Sequence, residues 1–273
     1  MKDHIEYCDC YPVSKQDGLE FFREEQNGMF TIMLKKHMEL GYIKINKMTK
    51  FILDKCTGQN NINQLIDVIL DSFQVSDHVD LRNDVDMCLN SCWRLGLITF
   101  AGPNYLLSKY QKESSGILIR YLQEDDAVRF FNDTSRIDTI MNPYMSFEEE
   151  YNPSLIPIKW MSGTESFFEI YKDDTLLGKI SIKPDKILNA YIISSIIYQN
   201  RENVSSVIAD VLNFIHNTYK DVLDYDVTGK ENILFIIYYD NVSDFSDFGF
   251  HYSGELRSEI GEQSVYVYQR YMD

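Results

Sequence analysis

The sequence predicts an α+β protein with two domains. A chain of 273 residues usually forms more than one compact core. Residues 29–98 show two short strand patterns and then three amphipathic helix patterns, whereas residues 117–271 mix strand and helix patterns. Between these regions, residues 108–116 are polar and follow a Gly-Pro-Asn turn. We therefore assign residues 1–110 to one domain and residues 111–273 to the other.

The first domain is predicted to be a small β-hairpin followed by three helices, a winged-helix-like arrangement. Ile43 and Ile45 alternate with polar neighbours, as in a half-buried strand, and residues 29–34 form a second strand pattern. Gly58 is suited to end the first helix, and Asp80 is suited to begin the third. The apolar faces of the helices are, in order, Met48, Phe51, Ile52 and Cys56; Ile62, Leu65, Ile66, Ile69 and Leu70; and Leu81, Val85, Cys88, Leu89, Cys92 and Leu95.

The composition indicates a folded protein of the cytoplasm. Hydrophobic residues make up 44% of the chain and aromatic residues 14%, which is enough to bury two cores. No apolar run reaches the ~18–20 residues that a membrane span needs. Residues 1–15 have no apolar centre and do not resemble a secretory signal. Residues 18–22 fit either a short helix or a strand added to the first domain.

The five cysteines suggest neither a disulfide framework nor a metal site. Their number is odd, which disfavours paired bridges. Two spacings, Cys8-x-Cys10 and Cys88-x3-Cys92, could supply thiolates to zinc. The second pair, however, falls on the apolar face of a helix, where thiols behave as small hydrophobic groups. We expect no metal.

Charge is divided unevenly between the two domains. Residues 1–110 contain 12 Lys and Arg against 15 Asp and Glu, a net charge of −3, and residues 111–273 contain 14 against 27, a net charge of −13. A net charge of −16 repels nucleic acid, and the third helix carries three aspartates where a DNA-reading helix would be basic. This disfavours a DNA-binding regulator, although a winged helix could otherwise be one.

In the second domain, strand and helix patterns follow each other in mixed order. The turn Lys172-Asp173-Asp174-Thr175 joins two strand patterns as a hairpin. A helix is indicated where acidic residues open an apolar repeat, and another where Val207, Ile208, Val211 and Ile215 share one face. The predicted strands are residues 117–121, 166–171, 177–182, 188–198, 233–239, 251–256 and 264–271, and the predicted helices are residues 124–131 and 204–219.

Residues 41–98, which begin GYIKINKMTKFILDKCTG and end CLNSCWRLGLI, resemble the PqqD-like domain, also called the RiPP recognition element. The resemblance implies a partner: the leader of a ribosomally synthesised precursor peptide, held for a modifying enzyme. An extended peptide can add to an exposed strand edge by main-chain hydrogen bonds. The residues expected to bind it are Tyr42, Ile43 and Lys44 on the strand and Met87, Ser91 and Arg94 on the third helix.

Residues 117–273 resemble the GNAT fold of acyl-CoA-dependent N-acyltransferases. The resemblance rests on the order of the elements, on Leu177-Gly178-Lys179-Ile180 in the middle hairpin, and on Asn241 and Gly249-Phe250 near the end. It implies acyl-CoA, either acetyl-CoA or a longer chain, as co-substrate. The family's loop Arg/Gln-x-x-Gly-x-Gly/Ala lets backbone N–H groups approach the pyrophosphate.

The matching loop departs from that pattern. It has no glycine, and alignment of the following helix places Asn203 and Ser205 at the two small positions. Asn tolerates a left-handed conformation, so an anion nest could still form, and Arg201 could help to neutralise phosphate. The residues expected to bind the cofactor are Ile197, Tyr198, Arg201, Asn203, Val204, Ser205 and Ser206.

Three residues are candidates for the chemistry of acyl transfer to an amine, which needs a base, a polarised carbonyl and an acid for the leaving thiolate. Glu169 could be the base, or a solvent-facing strand residue. Tyr239 could be the acid, or an aromatic strand end packed on the core, and the family's usual tyrosine has no counterpart here. Asn241 could contact substrate or cofactor, or it could form a turn. The polarising donor is expected to be a backbone N–H near residues 196–198.

Two functions follow from these resemblances. The first is an enzyme that binds a precursor peptide through its leader and transfers an acyl group from acyl-CoA, or from a carrier, to an amine of the core peptide. Covalent fusion would raise the local concentration of that amine at the second domain. The second is a catalytically degenerate scaffold or peptide chaperone that presents the precursor to a separate maturation enzyme.

Overall fold

A computed structural model describes residues 7–73, 78–114, 116–122, 130, 138–143, 155–222, 233–260 and 263–272. The chain divides into two compact units, Met1–Ser108 and Lys109–Asp273. Among the described residues, no helix is long and apolar enough to cross a membrane.

The first unit combines two small sheets with three helices. One sheet pairs the first and last strands of the unit, and the other has the antiparallel order β2-β3-β4. Its core includes Ile32, Ile52, Leu65 and Leu89, all almost fully buried. The elements are β1 Tyr11–Ser14, β2 Leu19–Glu24, β3 Phe30–Leu34, β4 Ile43–Ile45, α1 Lys47–Lys55, α2 Ile62–Phe73, α3 His78–Arg94 and β5 Ile98–Ala101.

Local polar contacts fix where the first two helices begin. The Asn46 side chain accepts a hydrogen bond from the Thr49 backbone N–H at 2.8 Å, so β4 passes directly into α1. Asn61 and Gln64 each accept a bond from the other's backbone N–H at 2.9 Å, a capping box at the start of α2. The short connection keeps strand β4 and the helices in a fixed register.

The two predicted strands and three predicted helices of this unit are present, and β1 and β5 are additional strands. The prediction that Gly58 ends the first helix is wrong, because α1 ends at Lys55. Of the two alternatives for residues 18–22, the strand is correct, because β2 pairs with β3 along Leu19–Glu24. The prediction that Asp80 caps the third helix is wrong, because α3 already begins at His78.

The second unit is a mixed α/β layer structure built on one large sheet. Helix α6 packs on the sheet through residues such as Phe214, whose ring lies 6.1 Å from that of Phe168. The elements are β6 Gln111–Ser114, β7 Ile117–Tyr121, β8 Asp138–Met141, α4 Leu155–Ser162, β9 Ser166–Lys172, β10 Thr175–Asp185, β11 Ala190–Tyr198, α5 Arg201–Ser205, α6 Ile208–Val222, β12 Ile233–Tyr239, β13 His251–Ile260 and β14 Gln263–Met272.

The strand order of this sheet is β6-β7-β9-β10-β11-β12-β14-β13, with β8 attached to β11. All described pairs are antiparallel except β11 with β12, which run parallel. The one parallel pair among the described strands lies inside this mixed sheet. The hairpin at residues 172–175 is confirmed, and its Asp173 and Asp174 take positive φ angles.

Two helix predictions in the second unit need comment. The single helix predicted over residues 204–219 is two helices, α5 and α6, separated at Ser206 and Val207. The helix predicted over residues 124–131 lies outside the described residues except for Phe130, which is fully buried.

Candidate functional site

The parallel strands β11 and β12 separate part-way along their length. They pair through Tyr191–Phe235, Ile192–Ile236 and Ile193–Ile237, after which β11 continues to Tyr198 without β12. Strand β8 pairs antiparallel with this second half of β11, from Ser195 opposite Met141 to Tyr198 opposite Asp138, and also contacts β12. The backbone edge predicted to polarise the donor carbonyl is therefore lined by a strand of the same chain.

The loop after β11 forms a short helix rather than an open nest. Asn203 lies inside α5, and its backbone N–H is bonded to the Asn200 side chain at 3.2 Å. The backbone N–H of Ser206 is bonded to the Glu202 carbonyl oxygen at 3.1 Å. Outside glycine, the described residues with positive φ are Asp173, Asp174 and Asn189, so Asn203 does not take the left-handed conformation that it could tolerate. The loop amides that would face an anion in a nest are instead hydrogen-bonded within the short helix.

Arg201 ties this loop to the segment after β12. Its guanidinium contacts both carboxylate oxygens of Asp247 at 2.7 Å, donates to the Asp244 carbonyl oxygen, and lies 5.1 Å from the centre of the Phe248 ring. This bidentate pair raises the pKa of Arg201 and lowers the pKa of Asp247. Arg201 thus positions the loop, and its charge is already balanced by a carboxylate.

Gly178 lets α5 lie close against the sheet. A Cβ atom at this position would stand 2.8 Å from the Ile197 carbonyl oxygen and 2.9 Å from a methyl group of Val204. Both distances are shorter than real Cβ contacts, so a larger residue would displace β11 or the loop. Val204 is fully buried on this glycine, which gives the Leu177-Gly178-Lys179-Ile180 pattern a physical reason.

Glu169 lies in a buried ion network on the neighbouring strands. Its carboxylate accepts hydrogen bonds from Arg120 and from the Tyr171 hydroxyl, both at 2.7 Å, and lies 3.6 Å from Lys179 Nζ. Glu169 is 8% exposed, so the alternative of a solvent-facing residue is wrong. The strand register places Lys179 between Glu169 and Ile197. The backbones of Glu169 and Ile197 are therefore two strand spacings, or about 10 Å, apart. This carboxylate is engaged in holding the sheet together.

Tyr239 and Asn241 stand at the end of β12, near the point where the two parallel strands have separated. The ring of Tyr239 is half-buried and meets Phe245 edge-on, with 5.4 Å between centroids. Asn241 is exposed, and its side-chain amide donates to Asp240 at 2.7 Å. Their catalytic roles remain predictions.

In the first unit, an open groove runs between β4 and α3. Its volume is about 360 Å³, and four of the residues predicted to bind peptide line it: Ile43, Lys44, Met87 and Ser91. Met87 is 36% exposed, and Ser91 is exposed as well. In the described part of the chain β4 pairs with β3 alone, so its other edge faces this groove.

Two predicted peptide contacts lie elsewhere. Tyr42 precedes β4 and packs on Phe21 at 5.6 Å, where it lines a shallow concavity on the outer face of the three-stranded sheet. Arg94 is 5% exposed near the end of α3, buried within the first unit. Neither residue lines the groove: Tyr42 lines the separate concavity beside Phe21, and Arg94 is buried.

The thiol groups are mainly packing groups. Cys10, Cys56 and Cys92 are buried, and burial raises the pKa of Cys56 to about 12. A hydrogen bond with Cys92 lowers the pKa of Cys88, which lines the groove. Within the residues that the structure describes, no three His, Cys, Asp or Glu side chains form a metal-binding group.

Three parts of the site were not expected from the sequence: strand β8, the partner Asp247, and the cations of the Glu169 network. The pairing of β8 with β11 and of Arg201 with Asp247 joins residues about 50 positions apart. Such pairs have no local spacing signal. The alternation of charged Glu169 and Lys179 within two apolar strands was a usable sign of an ion pair.

No protein-family model and no curated protein sequence matches this chain. Solved structures similar to it include an acetyltransferase from Salmonella typhimurium that modifies the N-terminal serine of 50S ribosomal subunit protein L7/L12. That protein is 16% identical, with a TM-score of 0.38 over 59% of this chain and 97% of its own. A spermidine N-acetyltransferase mutant from Vibrio cholerae is 14% identical, with a TM-score of 0.38 over 58% and 95%. At these values the likeness carries no argument about chemistry.

Proposed function

We propose that the chain is a cytoplasmic N-acyltransferase that holds a peptide in the groove of its first unit and acylates an amine of that peptide at its second unit. One observation supports the enzymatic half: the parallel strands β11 and β12 separate, and past that point the edge of β11 at residues 194–198, beside the loop 199–206, is paired with the short strand β8 and not with β12. An edge of this kind binds an extended, amide-containing chain, as the pantetheine arm of acyl-CoA is.

The acyl donor would meet this edge, and the polarising group would be a backbone N–H of Ile196 or Tyr198. Backbone N–H groups fixed in a sheet are preorganised donors and need no reorganisation during the reaction. The acidic character of the second unit favours a cationic acceptor, a lysine side chain or an N-terminal amine. Tyr239 is the described hydroxyl group closest in sequence to the end of β12 and is our candidate for the acid.

The peptide half of the proposal rests on the groove between β4 and α3. Its floor contains Ile45 and Leu97, which are buried, and its rim contains Lys44 and Ser91, which are exposed. A strand added to β4 would obtain main-chain hydrogen bonds from the edge and apolar contacts from Met87. The partner that fits is the leader of a ribosomally synthesised precursor peptide.

The scaffold alternative is favoured by a different observation. Arg201 is neutralised by Asp247, and the amides of Asn203 and Ser206 are bonded within the loop, so the described loop offers few groups for a pyrophosphate. On that hypothesis the second unit binds no donor, and the chain presents a precursor peptide to a separate maturation enzyme.

The experiment that separates the two is an acetyl-transfer assay on a peptide library. The full-length protein is incubated with isotope-labelled acetyl-CoA and a library of unmodified peptides of bacterial-proteome sequence, and peptides that gain an acetyl group are identified by mass spectrometry. Transfer to a defined subset supports the enzyme. Binding of library peptides without transfer and without acetyl-CoA binding would support the scaffold instead.

A further inference from the structure

Strand β8 occupies the backbone edge that the proposed function assigns to the acyl donor. The Asn142 backbone N–H donates to the Ser194 carbonyl oxygen at 2.9 Å, and the register continues through Ile140 opposite Ile196. In an antiparallel pair the hydrogen-bonded positions alternate, so Ser194, Ile196 and Tyr198 direct their N–H and C=O groups toward β8. The groups needed by a donor are therefore already paired.

We propose that β8 is an internal competitor strand: it binds the edge of β11 in place of the acyl donor, and the donor binds only when β8 has left. This inference rests on the proposed function and adds a regulatory step to that site. Each backbone group on this side of β11 makes one ladder bond, so β8 and an extended donor exclude one another.

The side chains of β8 indicate how firmly it is held. Ile140 is 4% exposed, whereas Thr139 and Met141 on either side are half-buried. The strand has four residues, so among the described side chains it is anchored by Ile140 and by the adjoining Asn142, which is 3% exposed, together with a short ladder. Because β8 belongs to the same chain, its effective concentration at the edge is high, and the apparent donor affinity is reduced by the fraction of molecules in which it is detached.

A reversible covalent lock tests this directly. Thr139 and Ile197 lie opposite each other at a non-hydrogen-bonded position, where side chains of paired strands come closest. The double variant Thr139→Cys with Ile197→Cys should form a disulfide on oxidation that fixes β8 to β11. Acetyl-CoA binding is then measured by calorimetry on the oxidised and the reduced form of the same protein. Wild type carried through the same oxidation controls for the native cysteines.

Two proline variants provide the opposite perturbation. Ile140→Pro removes a backbone N–H that faces β11, whereas Thr139→Pro removes one that faces away from it. Both should fold, which circular dichroism and thermal unfolding check. We expect Ile140→Pro to bind acetyl-CoA several-fold more tightly than Thr139→Pro.

The outcomes separate the two proposals. Binding at least ten-fold weaker in the oxidised than in the reduced form supports β8 as a competitor. Equal binding by the two forms, or by the two proline variants, overturns the competitor strand and leaves the acyltransferase intact. No acetyl-CoA binding in wild type, in the reduced form or in Ile140→Pro overturns the acyltransferase itself, and the competitor with it.

Discussion

Two strand edges of this chain offer the same main-chain chemistry to different neighbours. The edge of β4 in the first unit faces an open groove of about 360 Å³, whereas the edge of β11 in the second unit is paired with β8. A peptide can add to β4 without any strand leaving. A ligand at β11 has to displace a strand first. An extended ligand can therefore bind directly only where the backbone groups of a strand edge are not already paired with another strand.

The two sites differ in side-chain support as well. The β4 groove presents half-buried apolar groups and an exposed Lys44, which suit a peptide. Beside the β11 edge, the cation Arg201 is already paired with Asp247. Affinity for an anionic donor therefore has to come mainly from main-chain pairing and from the fit of α5 against the sheet.

The largest effect is expected from Gly178→Val. The new side chain would meet the Ile197 carbonyl oxygen and Val204 at less than 3 Å, so the end of β11 and α5 must move. Acetyl-CoA affinity, measured by calorimetry, should fall about 100-fold, and overpacking should cost about 1–3 kcal/mol of unfolding free energy.

The matched control is Gly254→Val, since a Cβ atom at that strand glycine meets nothing within 4 Å. It should leave binding unchanged. Equal loss in both variants would show that the close approach at Gly178 has no special role at the β11 edge.

Glu169→Gln tests whether the ion network of Arg120, Glu169 and Lys179 stabilises the fold. The amide would leave Lys179 buried without its counter-charge, and breaking such a pair costs about 3 kcal/mol. Unfolding in denaturant measures the loss. Glu20→Gln, at an exposed position of strand β2, should change stability by less than about 0.5 kcal/mol. A large fall in transfer rate with unchanged stability would instead identify Glu169 as the base.

Ser91→Trp fills the groove beside β4 and should weaken peptide binding about ten-fold, because the added ring occupies the space between strand and helix. For a peptide found in the library assay, KM should rise while kcat and acetyl-CoA affinity stay constant. Asp67→Trp places the same ring on the exposed face of α2, outside the groove, and should have no effect. If both variants behave alike, the groove does not hold the peptide.

Asp247→Asn removes the carboxylate that fixes Arg201 and should lower the free energy of unfolding by less than the preceding changes to the buried residues do. Both side chains are more than a third exposed, so the expected loss is about 0.5–1 kcal/mol at pH 7. Because Arg201 lowers the pKa of Asp247, the stabilisation is present above the ordinary carboxyl pKa of ~4 and is lost as the pH falls through the lowered value.

The difference in melting temperature between wild type and Asp247→Asn should therefore shrink as the pH falls below ~4. Glu202→Gln removes an equal charge from the same short helix and should show no such convergence. If the difference in melting temperature between wild type and Asp247→Asn persists at low pH, the ion pair between Asp247 and Arg201 does not stabilise the loop.

Sequence patterns were sufficient for the elements that depend on local chemistry. The hairpin at Asp173 and Asp174 and the β-branched run of β11 each act within a few residues, and the structure has the expected element at both places. The choice of Met87 and Ser91 came from the resemblance to the PqqD-like domain and not from a local pattern, and both residues line the groove beside β4.

Sequence patterns were insufficient where the outcome depends on which distant groups meet. Asn203 tolerates a left-handed backbone, but the Asn200 side chain captures its N–H and makes the loop helical. Arg201 was expected to face phosphate, yet Asp247 offers it a bidentate partner from another loop. Strand β8 has only four residues, which is too few to show the alternation of a strand, so it is recognised only by its pairing in the sheet.

Hydrogen–deuterium exchange with and without acetyl-CoA is the direct test of whether the acyl donor displaces β8 from the edge of β11. We expect acetyl-CoA to speed exchange of the amides of Ile140 and Asn142, while Ile196 and Tyr198 remain protected because the donor replaces β8 at their edge. Unchanged exchange in β8 at saturating acetyl-CoA would mean that β8 does not compete with the donor, since the donor would then bind without displacing the strand.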